Sequence, residues 1–224
     1  MIQYNTSMQS LHAIPERLKA FESFENGNLV ELYRANLQLS EALYPALSTL
    51  EVTLRNAIDL MFQAHFGANW LFDEVQNNKI LFPSDHKKLV ITVNSLKARK
   101  SELTKGKIIA ELNLSFWVNI CSKKYSPLLW SNPKVFKAVF VNYPKSMRVQ
   151  IHEISKMLQY IKNLRNRIFH FEPIYKKGSD LLGRYNEILT IISYLPTDEY
   201  RIFEGTCRFK DIYNSIKIKT QLPK

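Results

Sequence analysis

Apolar residues recur at three- and four-residue spacing along almost the whole chain, and this period constrains the fold more than any other feature. The clearest run is 147–169, where Val149, Ile151, Ile154, Met157, Leu158, Ile161, Leu164 and Ile168 keep one helical face apolar. Pro173 stops it. Leu11, Ile14, Leu18 and Phe21 make a shorter stripe with Pro15 in its first turn, and Asn26-Gly27-Asn28 breaks the chain after it. A long apolar stretch then runs from Leu29 to Met61; Pro45 is expected to kink it or to open a new helix. Gly67-Ala68-Asn69 ends that stretch, with Trp70-Leu71 packing back on it.

Further along, Pro83-Ser84-Asp85 reads as an N-cap cluster for a helix over 81–103. A helix is expected over 107–125, with Phe116, Trp117 and Ile120 on its apolar side. Pro127, Pro133 and Pro144 punctuate the middle third, which reads as an irregular helical insert. Helices over 178–193 and 197–206 flank Pro196, and the tail 217–224 reads as short, basic and loose. The expectation is one all-α unit over 1–224, a bundle of long helices.

Composition narrows the function. Six glycines in 224 residues is far below the usual share of about 7%. Few φ > 0 turns argue against many-stranded sheets and against a glycine-rich phosphate loop. No GxGxxG, GxxxxGK[ST] or GxSxG occurs, which demotes dinucleotide dehydrogenases, P-loop NTPases and α/β-hydrolases. Cys121 and Cys207 are too few for a disulfide framework and read as buried thiols. His12, His65, His86, His152 and His170 are scattered, so neither a metal nor a cofactor is expected. The N-terminus lacks the pattern of a signal peptide and no run is long enough to span a membrane, so the cytoplasm is the expected compartment. The formal net charge of +11 raises the prior for a polyanionic partner.

One segment concentrates chemistry: Lys162-Asn163-Leu164-Arg165-Asn166-Arg167-Ile168-Phe169-His170-Phe171-Glu172-Pro173, at the end of the best helix. Asn166 and His170 are four residues apart and project from one face, with Arg165 at its edge. Arginine supplies a permanent planar cation for phosphate, asparagine an orienting amide, and histidine a group that titrates near neutrality. The alternative is a plain helix end, where the macrodipole favours basic residues and His170 is a C-cap.

Arg165-Asn166-x-x-x-His170 resembles the R-x4-6-H signature of HEPN-superfamily ribonucleases, and the wider context resembles their Abi-like (abortive infection) family. The matching pieces run in order over roughly 10–175. They are Pro15-Glu16-Arg17-Leu18, Leu32-Tyr33, Leu50-Glu51-Val52-Thr53-Leu54-Arg55-Asn56-Ala57-Ile58, Phe66-Gly67-Ala68-Asn69-Trp70-Leu71, Ser115-Phe116-Trp117-Val118, Leu129-Trp130 and Leu164–Ile174. The departure is Phe171, where the family commonly has a second histidine.

The resemblance implies a metal-independent endoribonuclease in an abortive-infection or toxin–antitoxin setting. His170 would be its base and acid, Arg165 its phosphate clamp and Asn166 its orienting residue. It also implies a homodimer with facing motif helices, RNA as substrate, and an antitoxin or phage-derived trigger as a possible further partner. Glu51, Arg55 and Asp59, with Asn56 alongside, form a second polar cluster. It is either an exposed ion-pair ladder or a partly buried set in which Glu51, Arg55 and Asn56 orient Arg165 and His170. Glu172 joins the supporting set through the motif. Arg167, Lys97, Arg99, Lys100, Lys105 and Lys107 are candidate RNA contacts, against the alternative of a solvated basic face. Trp70, Trp117 and Trp130 read as core anchors rather than stacking platforms. Two rivals stay open: a catalytically inactive HEPN-type module that binds RNA or protein in phage defence, and a structural or sensor subunit.

Overall fold

The longest apolar stretch folds as one helix, α1 (Leu29–Phe66), and several of the later helices pack against it. Its buried side includes Leu39, Leu43, Ala46, Leu50, Leu54, Ile58 and Phe62, steps of three and four that make a continuous apolar stripe. Pro45 neither ends the helix nor starts another. The carbonyl of Glu41 loses its usual partner there, but Glu41 is on the exposed side, while Ala42, Leu43, Ala46 and Leu47 are held in the core. The computed structural model describes residues 29–146, 151–175, 180–196 and 205–220, with the side chains of 217–220 excepted. The expected stripe from Leu11 to Phe21, the break at 26–28, the start of the 147–169 run and most of 197–206 lie outside the described residues.

Gly67 closes α1 with φ +98°, a conformation that side chains rarely adopt. The chain turns straight into α2 (Trp70–Asn77). Trp70 folds back as expected: it is fully buried, meets Phe62 edge-on at 4.5 Å, and donates from Nε1 to Asp59 Oδ1 at 2.8 Å. Glu74, also buried, turns its carboxylate on the following loop and accepts from the backbone N–H groups of Lys79, Ile80 and Leu81 at 2.8–2.9 Å. Without it those amides would be left unpaired against the core.

Helix α3 (Pro83–Ala98) begins where Pro83 predicts, but its N-cap is Phe82, with no side-chain cap. Asp85 points inward instead. Its fully buried carboxylate accepts from Lys124 Nζ (2.5 Å), Asn119 Nδ2 (3.0 Å), Tyr125 Oη (3.1 Å) and Lys88 Nζ (3.4 Å). Burial is the largest single influence and pushes the carboxyl up. The bonds from Lys124, Asn119 and Tyr125, with the Lys124 charge, outweigh it and hold Asp85 below the ordinary carboxylate range.

The middle third is broken into short helices: α4 (Lys105–Glu111), α5 (Leu114–Ile120), a 3-10 turn (Lys123–Tyr125), a π-helical turn (Ser126–Trp130) and α6 (Pro133–Val139). The single helix expected over 107–125 is interrupted because Asn113 caps a new start, its side chain accepting from Phe116 N–H at 3.2 Å. These pieces belong to the core. Phe116, Trp117, Tyr125, Trp130, Phe136 and Phe140 are buried in the same cluster as the stripe of α1. Buried Trp117 and Trp130 each donate to a backbone carbonyl.

Helix α7 (Ile151–Phe169) buries Ile154, Leu158, Ile161 and Leu164 and packs on α8 (Leu181–Tyr194) and α5. Helix α8 also packs along α1, as does α9 (Phe209–Thr220). The expected loose tail is therefore helical over its first four residues, 217–220; residues 221–224 lie outside the described residues. Every regular element among the described residues is helical, an all-α fold.

Candidate functional site

The cleft at the foot of α7 forms because Arg165 lies on the side of the helix that turns toward α1. Its guanidinium stacks on the ring of Phe169, one turn later, at 4.0 Å from the centroid. Its Nε stands 3.9 Å from Glu51 Oε2 on α1, and both side chains are three-quarters buried or more. Tyr44, Ser48, Glu51 and Arg55 from α1, with Arg165 and Phe169 from α7, line a cleft of about 300 Å³. Neither Arg55 Nε nor Arg165 Nε has a hydrogen-bond partner. Two guanidiniums and one carboxylate line the cleft, which leaves one positive charge in excess among these three groups. Such a set suits an anion with several acceptor oxygens.

Asn166 and His170 follow the other edge of α7. On a helix, positions 165 and 170 diverge by about 140°, so the exposed His170 points away from the Arg165 cleft within one copy of the chain. Neither Asn166 nor His170 lines that cleft. His170 is the C-cap: its N–H reaches Asn166 O, Phe171 N–H reaches Ile168 O, and Glu172 N–H reaches Arg167 O. Phe171 takes the left-handed position of this motif, φ +57°, where glycine is usual. Arg167 donates to Pro173 O and pairs with Glu172 at 3.5 Å, so both residues brace the turn and neither enters the cleft.

The polar cluster on α1 divides. Glu51 and Arg55 join Arg165, as the partly buried alternative requires. Asp59, about two turns further along α1, is engaged elsewhere, binding Trp70, Gln63 (2.7 Å) and Lys105 (3.6 Å). Asn56 is exposed and outside the cleft lining, because the helical rotation carries it past that face. Several of the basic residues expected to meet RNA stand in ion pairs. Arg99 pairs with Glu111 at 2.5 Å, Lys107 with Glu102 at 3.7 Å and Lys105 with Asp59. Lys97 and Lys100 are exposed.

Positive charge crowds instead at Lys162, one turn before Asn166 on the same edge of α7. Its burial, and then the charge of Lys88 on α3, lower its affinity for a proton below that of an ordinary lysine. Sequence reasoning passed over Tyr44, Ser48, Phe169 and Lys162 as site residues; the i, i+4 spacing of Arg165 and Phe169 was the readable signal for one of them.

Among the described residues no group of His, Cys, Asp and Glu could hold a metal ion, and no helix is long and apolar enough to cross a membrane. No protein-family model, curated protein or solved structure matches this chain.

Proposed function

We propose that this chain is a metal-independent endoribonuclease of the HEPN type, of the Abi-like kind that the motif order resembles, acting in host defence. The observation that carries the reading is the cleft lined by Arg165 of the R-N-x-x-x-H motif and by Arg55, two cations with the one carboxylate of Glu51. In the reaction His170 takes the proton of a ribose 2′-OH and that oxygen attacks the adjacent phosphorus. The 5′-oxygen leaves with a proton taken from water, the proton held by His170 returns to solvent, and a 2′,3′-cyclic phosphate remains. Arg165 and Arg55 carry the charge that builds on the phosphorane, and Glu51 orients Arg165 while limiting repulsion between the two cations.

The divergence of Arg165 and His170 around α7 favours a composite site. A two-fold homodimer with facing α7 helices would bring His170 of one copy toward the arginines of the other. Exposed Tyr44, Phe169 and Phe171 lie on or beside this region and supply apolar surface for such contact.

The test is cleavage of RNA by purified protein in EDTA, with cyclic-phosphate ends. Arg165→Ala and His170→Ala should each abolish it with melting unchanged within a few degrees. Toxicity on bacterial expression, relieved by His170→Ala, would be the cellular counterpart. Salt-dependent RNA binding with no cutting would instead support the inactive binding module, which the Phe171 departure favours.

A further inference from the structure

The turn after α7 is unusual in two independent ways. It places a phenylalanine at φ +57°, a left-handed conformation that is strained for a bulky side chain. It is also gripped from outside by a buried amide. Asn36 on α1, only 2% exposed, accepts from Ile174 N–H at 2.8 Å and donates to Glu172 O at 3.3 Å. One side chain thus pairs with the segment 172–174 at both backbone directions, across 136 or more positions of sequence. Arg167 adds its bond to Pro173 O from the other side, and Pro173, Ile174 and Tyr175 are buried. A strained conformation persists only where its surroundings over-determine it. Here those surroundings include Asn36 and Arg167.

We infer that Asn36 is a positioning residue for the motif, holding the strained Phe171 turn and thereby the C-cap geometry of His170. The route is short. His170 N–H, Phe171 N–H and Glu172 N–H satisfy the carbonyls of Asn166, Ile168 and Arg167, so the turn fixes the last turn of α7. If segment 172–174 is released, those carbonyls lose their partners and the Asn166–His170 register frays. Arg165, stacked on Phe169 and facing Glu51, is held by separate contacts. Loss of Asn36 should therefore disturb the histidine arm of the site and spare the arginine arm.

This rests on the ribonuclease reading only for its kinetic arm. Asn36→Leu is close in size and removes both bonds. With RNA as substrate, it should lower kcat by about tenfold to a hundredfold, the scale of a small misplacement of a reacting group, with KM within about twofold because the arginines that grip phosphate are untouched.

Phe171→Gly supplies the discriminating second step. Glycine adopts φ > 0 without strain, so the turn needs less external support. The Asn36→Leu/Phe171→Gly double variant should recover a large part of the lost kcat. Additive losses, or a KM increase matching the kcat decrease, would overturn the inference.

The second arm needs no activity. In NMR spectra the His170 ring resonances and the amide exchange of 170–172 should change in Asn36→Leu and return toward wild type in the double variant, while those of His65 on α1 stay put. Unmoved His170 resonances refute the positioning role even if cleavage falls. Wild-type protein that cuts no RNA refutes the ribonuclease reading and leaves the NMR arm to decide Asn36. Should Asn36→Leu fail to fold, Asn36→Asp carries the same comparison, since it keeps the acceptor for Ile174 N–H and loses the donor to Glu172.

Discussion

Replacing Asp85 tests the physical account of the fold at its most charged buried point. The carboxylate is fully buried and takes Lys124 at 2.5 Å, Asn119 at 3.0 Å and Tyr125 at 3.1 Å, which ties α3 to α5 and to the 3-10 turn. Breaking a buried pair from one side costs about 3–5 kcal/mol. Lys124 keeps 35% of its side-chain exposure and can swing its ammonium into water, and the Tyr125 hydroxyl still accepts from Phe82 N–H. The lower end, about 3 kcal/mol, is therefore expected for Asp85→Ala. At about 2–4 °C per kcal/mol for a chain of this size, melting should fall by about 6–12 °C. Asp85→Asn keeps the shape and one acceptor and should lose about half as much.

The pH dependence has a fixed sign. Because the folded carboxyl is held below the ordinary value of 3.8, its stabilisation is complete above that value and is lost as pH falls through it toward the folded one. Calorimetry from pH 7 down to about pH 3 should show the gap between wild type and Asp85→Asn narrowing only below about pH 4. A gap under about 2 °C at neutral pH, or one that widens on acidification, would sink the reasoning.

Three further outcomes are expected. Glu74→Ala strips the partners from three backbone amides of the 79–81 loop; it should cost about 3 kcal/mol in chemical denaturation and open that loop to limited proteolysis. Trp70→Phe keeps the ring against Phe62 but drops the bond to Asp59, for a loss of about 1–2 kcal/mol by the same measurement. In RNA-binding titrations against salt, Lys162→Ala should lower the slope of log K on log salt by about 1, whereas Lys107→Ala, whose ammonium already faces Glu102, should change it less.

How far these features were legible in the sequence varies with the range of the interaction. The period of apolar residues placed α1, α3, α7 and α8, because a helix face is written in neighbours three and four apart. The fold-back of Trp70 after Gly67 was readable for the same local reason. Asp85 was not: Pro-Ser-Asp is the local pattern of a cap, and only the arrival of Lys124, Asn119 and Tyr125 turned it into a buried hub. The uninterrupted passage of α1 through Pro45 likewise depended on partners packed along both sides of the break.

The candidate site divides along the same line. The motif residues were visible as types and spacings, and Glu51 and Arg55 were visible as a cluster that could be either an exposed ladder or a partly buried set. That Arg165 meets Glu51 and Arg55 depends on where α7 lies relative to α1, which no local spacing encodes, whereas the divergence of His170 from Arg165 follows from their five-residue separation on the helix. The shortage of glycine argued against many-stranded sheets from the sequence alone. It also meant that some helix ends would need other residues in the left-handed region, but their identity awaited the fold: Asn78, Lys100 and Phe171 take those places. By itself the sequence determined an all-helical chain with a basic, histidine-bearing helix end, because those properties follow from nearest neighbours. Tertiary structure alone decided that the end is a strained turn clamped by Asn36, because that clamp joins residues 138 positions apart and exists only once α1 and the end of α7 are packed together.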